Sequence, residues 1–319
     1  MKAIPVIGPR TWVAAAGVLA FLGCVAVGLV LWAGWREVAS AVDRIDALSL
    51  AAALATSLAC YGIRFLRWQV FCTALGHRVP WRANLRIYIA GLGFTWTPGK
   101  SGELLRGAFL AQYDVPFSRS VLLFYWDRLS DLAGMLMLAL GATLAVASGH
   151  LALVPAALVI VVAFWLARPG GPLFSRVIEF AQRRLSPRHG HWLDSLLRLR
   201  EADAVATSGR AAAGALAGAC AYAMQALGLM IIAHASGIDI GFAAALLVTS
   251  VSTLAGAAVL LPAGAGVVET TSVGLLVGQG IALPDAVAIG LVHRATTFWF
   301  AMALGAVALA SLLSRRKHA

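Results

Sequence analysis

Eight charged residues lie in or beside apolar stretches of this 319-residue chain: Lys100, Glu103, Arg106, Asp127, Arg128, Asp131, Glu269 and Arg294. Each would cost roughly 2.5–3.5 kcal/mol at a lipid-facing helix centre, so they must turn toward one another or toward a hydrated cavity. Four are positive and four negative, and together they can neutralise each other in a buried network. Lys100, Glu103 and Arg106 recur every three residues on one helix face, and Asp127 and Asp131 lie one turn apart. Two chemistries fit this pattern. A structural network would only balance charge. A hydrated cavity would use the arginines to hold an anionic head group, because guanidinium offers a planar donor fork suited to phosphate.

Other polar residues carry weaker signals. Arg64, Arg67 and Trp68 fall at the cytoplasmic end of the second span, where snorkelling and an aromatic belt account for them. His293, beside Arg294, could relay a proton or bond a backbone carbonyl. His234, near the outer interface, is read as inert; Trp96 and Trp126 are read as interfacial or as lining an acyl-chain path. Cys24, Cys60, Cys72 and Cys220 have no metal-ligand spacing and read as small buried thiols, with no disulfide, metal or cofactor expected. Gly99-Lys100-Ser101 is similar to the end of a P-loop, but Phe94 stands where that loop needs glycine. Gly99-Lys100-Ser101-Gly102 also fits the GxSG of rhomboid-like intramembrane serine proteases, with His293 as partner. Lys100 and Glu103 flank the serine and Ala265 stands in its place in the second half, so a protease is a minor alternative.

The elements that must position these groups follow from composition. With 61% hydrophobic and 12% charged residues and a mean hydropathy of +0.85, the chain is neither a soluble domain nor disordered. It reads as an all-α polytopic integral membrane protein, with about six full transmembrane helices plus two broken re-entrant hairpins in an inverted repeat. The full runs are Trp12–Trp35, too long for a signal peptide, then Leu48–Leu75, Val121–Ser148, Leu151–Ala167, Ala211–Ser236 and Ala286–Leu313. Asn84–Val115 is broken at Thr97-Pro98-Gly99, and Phe242–Leu283 is broken between Leu261 and Gly266. Non-helical backbone at membrane depth requires protein or a water-filled cavity around it.

The two breaks align. Thr97-Pro98 followed by Gly102 matches Leu261-Pro262 followed by Gly266. Each is followed by a Glu (Glu103, Glu269), and 25 residues later comes an Arg (Arg128, Arg294) and then Leu-Gly-Ala. The helix-breaking set is Pro98, Gly99, Gly102, Pro262, Gly264 and Gly266, and the helix N-termini after Pro98 and Gly266 would offer free N–H donors. The expected division is 1–47 for the first span and outer loop, 48–148 for the first repeat, 149–167 for a connecting span, 168–210 for a basic loop and 211–319 for the second repeat and basic tail. The formal charge of +11 collects on the 168–210 loop, the tail and the short turns of one face, which predicts a cytoplasmic N- and C-terminus and no nucleic-acid partner. The 168–210 loop, amphipathic after Pro187, is read as a topology determinant lying on anionic lipid.

Five stretches together carry a resemblance: Arg64-Phe65-Leu66-Arg67-Trp68; Thr97 to Arg106; Asp127-Arg128-Leu129-Ser130-Asp131; Leu261 to Glu269; and His293 to Trp299. In these the chain resembles the lysylphosphatidylglycerol synthase transmembrane domain family, also called flippase-like, from about Arg64 to Leu313. No stretch of this sequence is long or polar enough for the soluble synthase domain of that family, so the resemblance implies a transporter rather than an enzyme. It would be a flippase moving a lipid with a polar, phosphate-bearing head group across a bacterial inner membrane. Its partners would be membrane lipids and envelope-biosynthesis enzymes. The alternative is an accessory or lipid-binding subunit of an envelope-biosynthesis complex. Asp127 stands where the family usually has Glu, and Ala263 replaces the first Gly of the usual Pro-Gly-Gly.

Overall fold

The computed structural model describes residues 9–146, 176, 209–259 and 261–314, and they form an all-α polytopic membrane protein. In chain order the helices are α1 (Pro9–Ala33), α2 (Trp35–Asp43), α3 (Ala47–Ala74), α4 (Trp81–Leu92), a 3-10 helix over Pro98–Leu105, α5 (Arg106–Leu110) and α6 (Phe117–Ala145). They continue with α7 (Arg210–Ala235), α8 (Phe242–Ala258), a 3-10 turn over Pro262–Gly264, α9 (Val267–Gly278), α10 (Leu283–Arg294), a π turn over Ala295–Trp299 and α11 (Phe300–Ser314). Among the described residues five stretches are long and apolar enough to cross a bilayer: Ala16–Ala33, Ala47–Ala74, Phe117–Ala145, Arg210–Ala235 and Leu283–Ser314. The expected span Leu151–Ala167, most of the 168–210 loop and the end of the basic tail lie outside the described residues.

No single arm of the two broken segments matches the length of a full span. At 1.5 Å per residue the 12 residues of α4 and of α9 reach about 18 Å and the 17 residues of α8 about 26 Å, against a hydrocarbon core of about 30 Å. Each segment turns back beside its break, and the two breaks touch each other.

Close backbone approaches fix the direction of the central pair. A Cβ on Gly214 would meet the Phe71 ring, one on Gly218 would stand 3.3 Å from Arg67, and one on Gly228 would stand 2.6 Å from the Thr56 hydroxyl. As α7 advances its contacts retreat along α3, so the two helices are antiparallel, drawn together by small residues as is common where lipid gives no hydrophobic drive. The hairpin after α3 and the hairpin after α7 therefore enter from opposite ends of the bundle. Their first arms then cross over: α4 packs on α11 of the other half, where Gly305 meets the backbone of Gly93, and α8 packs on α6.

Two local features differ from expectation. Arg36–Asp46, expected as an outer loop, is mostly the amphipathic helix α2, set off from α1 by Gly34 at φ 92° and burying Val38 and Ala41 against α10. Its nine residues are too few for a helical period to stand out in the sequence. The last span is also not uniform, because the π turn follows Arg294 directly. The Thr296 and Thr297 hydroxyls donate to His293 O at 3.1 and 2.7 Å, and Tyr61 Oη donates to the Thr297 carbonyl at 2.5 Å, so side chains take up carbonyls that the wider turn leaves.

Candidate functional site

Four segments of the first half bring their charges to one buried point. On α3, Arg64 and Arg67 lie three residues apart on one face; on α6, Asp127 and Asp131 lie four apart, and Arg128 stands between them. The 3-10 helix carries Glu103, and α5 begins with Arg106. At three residues per turn a 3-10 helix stacks positions three apart, which brings Arg106 Nη2 to 2.9 Å from Glu103 Oε2.

The contacts interlock. Arg64 Nη2 donates to Asp131 Oδ2 at 2.8 Å. Arg67 donates from Nη2 to Asp131 Oδ1 at 2.7 Å, from Nε to Asp127 Oδ1 at 3.2 Å and again from Nη2 to the Asp127 backbone carbonyl at 3.0 Å. Arg128 Nη2 lies 2.6 Å from Asp127 Oδ2, 3.3 Å from Asp131 Oδ2 and 3.4 Å from Glu103 Oε2. Arg106 stands over the Tyr88 ring at 4.1 Å and the Trp68 ring at 5.2 Å, a cation–π seat in a desolvated place. Gly91 makes room for it, since a Cβ there would fall 2.0 Å from Arg106 Nε. The Asp127 side chain has no exposure at all, whereas 14% of the Arg128 side chain is reachable.

The cluster thus holds four guanidiniums and three carboxylates among the described residues, an excess of one positive charge. Several donors in it, namely Arg64 Nε, Arg67 Nη1, Arg128 Nε and Arg106 Nε, make no hydrogen bond with the described residues, while Arg106 Nη2 is held by its ion pair with Glu103. Buried donors of this kind call for a partner. A site with surplus positive charge, spare N–H groups and one partly reachable arginine suits a compact anion with several oxygen acceptors.

The second half is simpler. Arg294 Nε donates to Glu269 Oε1 at 2.8 Å, Arg294 Nη2 donates to the Ala263 carbonyl at 2.5 Å, and the guanidinium lies 4.3 Å from the Phe298 ring. The other Glu269 oxygen accepts the Gly266 N–H at 2.9 Å, so the carboxylate caps α9 from within. In both halves the Glu and Arg that stand 25 residues apart face each other, at 3.4 Å in the first and 2.8 Å in the second.

Several expectations need correction. The eight charges do not form one network, because Glu269 and Arg294 pair separately from the first-half cluster. Arg64 and Arg67 do not snorkel: they stand ten and seven residues before the end of α3, both are buried, and they hold Asp127 and Asp131. Trp96 and Trp126 are buried rather than interfacial, Trp96 against Leu22, Ala265 and Phe298 at the second break. The donors after the breaks are partly spent on the chain itself, as Gly266 N–H goes to Glu269 and Gly102 N–H to Thr97 Oγ1 at 2.7 Å. His293 Nε2 lies 3.1 Å from the Gln225 carbonyl, the plain hydrogen bond rather than a link in a visible relay. His234 lies 2.9 Å from Asp239. All four cysteines are free, but only Cys60 and Cys72 are buried; Cys24 and Cys220 face outward. The side chains of Pro98, Lys100 and Ser101, and the surroundings of Gly99, lie outside what the structure describes.

The geometry has a counterpart among known proteins. The family described as "Lysylphosphatidylglycerol synthase TM region" matches residues 13–305, which takes in every helix that contributes a charge to either half. A relative named "UPF0104 membrane protein", from the archaeon Methanothermobacter thermautotrophicus, is 24% identical over 304 residues, with 88% of each chain covered.

Proposed function

Since the chain belongs to the lysylphosphatidylglycerol synthase TM region family, we propose that it is a lipid flippase, a transporter rather than an enzyme. It moves a lipid with a phosphate-bearing head group across a bacterial cytoplasmic membrane, with both termini on the cytoplasmic side. The observation that carries this reading is the positive surplus of the first-half cluster, with unbonded N–H groups at Arg64, Arg67 and Arg128 and partial access at Arg128. A phosphate would supply the negative charge that the cluster lacks. Opposed hairpins whose tips touch suit alternating access, because a shift of one tip opens the cluster to one side or the other. Its partners on this reading are membrane lipids and the envelope-biosynthesis enzymes that make or use them, and nucleic acid plays no part.

Transbilayer movement of labelled lipids in vesicles tests the reading, with purified wild-type protein beside Glu103→Gln and Arg128→Lys at matched amounts. Movement of a phosphate-bearing lipid that falls at least about tenfold in Arg128→Lys supports it, since lysine keeps the charge but loses the bidentate fork. Equal movement by both variants and wild type would sink the phosphate clamp. A second reading, an accessory lipid-binding subunit with structural charges, draws on the extent to which these side chains already engage one another. Lipid that co-purifies with a protein unable to move it would favour that reading.

A further inference from the structure

We propose that the Tyr88 hydroxyl is a further binding group of the first-half site and donates a hydrogen bond to the phosphate of the lipid head group held there. This rests on the flippase reading above and adds to that site a donor without charge. Tyr88, on α4 of the first hairpin, has no exposure at all, and its hydroxyl makes no hydrogen bond with the described residues. Tyr61, buried on α3, shows the ordinary outcome, since its hydroxyl donates to the Thr297 carbonyl. Buried tyrosines usually find such a partner, so the unused donor at Tyr88 calls for one.

The ring is fixed, so the hydroxyl cannot swing away to find a partner elsewhere. It packs against Phe65 at 5.6 Å and Trp68 at 5.9 Å between centroids, and the Arg106 guanidinium lies 4.1 Å from its own centroid. Phenylalanine would fill the same seat without burying an unbonded hydroxyl, which leaves the oxygen a task apart from packing. Its surroundings define that task. The hydroxyl lies within electrostatic reach of Arg64, Asp127, Arg106 and Glu103, yet it donates to neither carboxylate, and both of these pair with guanidiniums instead. Arg64 Nε is likewise unbonded. An O–H and an N–H that both lack an acceptor, beside a surplus of positive charge, are met together by a group with several negatively charged oxygens. A water would meet the same donors, but it would do so equally in lipid-free protein, and this difference separates the two.

The test follows thermal unfolding of the detergent-purified full chain, wild type and Tyr88→Phe, as dioctanoyl phosphatidylglycerol is added. Dioctanoylglycerol, which lacks the phosphate, and glycerophosphoglycerol, which lacks the acyl chains, are the other two arms. Stabilisation that grows with ligand gives its affinity by mass action. Tyr88→Phe keeps the ring that seats Arg106 and removes one unbonded hydroxyl, so its lipid-free unfolding should match wild type. Its affinity for the phospholipid should fall about tenfold, the loss of one hydrogen bond to a charged group. Equal affinity in the two proteins would overturn the proposal and leave the flippase reading standing. So would a Tyr88→Phe protein already destabilised without lipid, because the hydroxyl would then serve the protein's own structure or a bound water. No stabilisation of wild type beyond that given by dioctanoylglycerol would overturn both, since no phosphate would be recognised. A tenfold loss with glycerophosphoglycerol but none with the phospholipid would overturn the lipid contact at Tyr88 in favour of a free phosphodiester.

Discussion

Counted from each half's own Glu, the two repeats place different side chains at equivalent steps. Where the first half has Arg106, Asp127 and Asp131, the second has Ser272, His293 and Thr297. Both keep a Glu–Arg contact 25 residues long, but only the first surrounds it with further charge. The second half satisfies its pair with main chain instead, through the Gly266 N–H and the Ala263 carbonyl. One half is thus built to hold charge in excess, and the other to hold its own backbone break in place. Pseudo-symmetry preserves the packing while the chemistry has gone to one side.

The strongest test of this difference removes a carboxylate from each half. Asp127→Ala leaves Arg67 and Arg128 facing each other in a buried place, and a broken buried pair costs about 3–5 kcal/mol. Glu269→Ala should cost less, because it frees a single guanidinium, not two facing ones, and Arg294 keeps the Ala263 carbonyl. Thermal unfolding of both variants in one detergent measures the gap, and equal losses would erase the distinction between the halves.

A smaller effect sharpens the first half. Gly91→Ala would push a methyl into the seat of Arg106, whose nearest side-chain atoms would stand 2.0 and 2.8 Å away. Overpacking of this kind costs about 1–3 kcal/mol. The same variant should weaken head-group handling if Arg106 contributes to it, which the vesicle assay reads separately from the unfolding curve.

In the second half the informative change is a gain. Ala263 sits at φ 59°, ψ 6°, a left-handed conformation that glycine adopts without strain. Ala263→Gly should stabilise the protein by about 0.5–1 kcal/mol, the strain relieved less the freedom glycine adds to the unfolded chain. A lower unfolding temperature would mean that the alanine methyl contributes packing that outweighs its backbone cost.

The smallest effect lies outside both repeats and serves as their control. Ser49 donates its backbone N–H and its hydroxyl to Asp46 at 2.8 and 2.9 Å, capping α3, and these bonds hold the Asp46 carboxyl below the usual carboxylate range. A carboxyl lowered on folding adds stability above its unfolded value, and that increment fades as pH falls through the lowered value. The unfolding difference between wild type and Asp46→Ala should therefore be small at neutral pH and shrink further as pH falls below the ordinary carboxylate value of about 4. A difference that grows on acidification would contradict the cap.

Much of the architecture is legible in residue order. The first, second and later spans end within a few residues of the apolar runs, since bilayer thickness fixes their length. Pro98 and Pro262 mark the breaks because proline lacks the N–H a helix needs. The 25-residue offset announced that each Glu and its Arg are equivalent, and α2 escaped notice because nine residues are too short a record. The site was only half legible. Glu103, Arg106 and the Asp127 group stood out as charges that lipid would not accept. Arg64 and Arg67 were equally charged, but reading them at the end of the second span gave them an ordinary explanation, although they stand ten and seven residues inside α3.

Sequence alone therefore determined the membrane class, the spans that the described residues include, the breaks and the matched Glu–Arg spacing, because hydrophobic length, proline and local offset act within one segment at a time. Only the tertiary structure decided that Arg64 and Arg67 join Asp127 and Asp131, at separations of 60 to 67 residues, and that Glu269 caps its own helix instead of joining them. Whether a buried carboxylate meets a guanidinium or a backbone N–H depends on which helix packs against it. The packing of α3, α5 and α6 around one point set the charge balance, and with it the difference between the two halves.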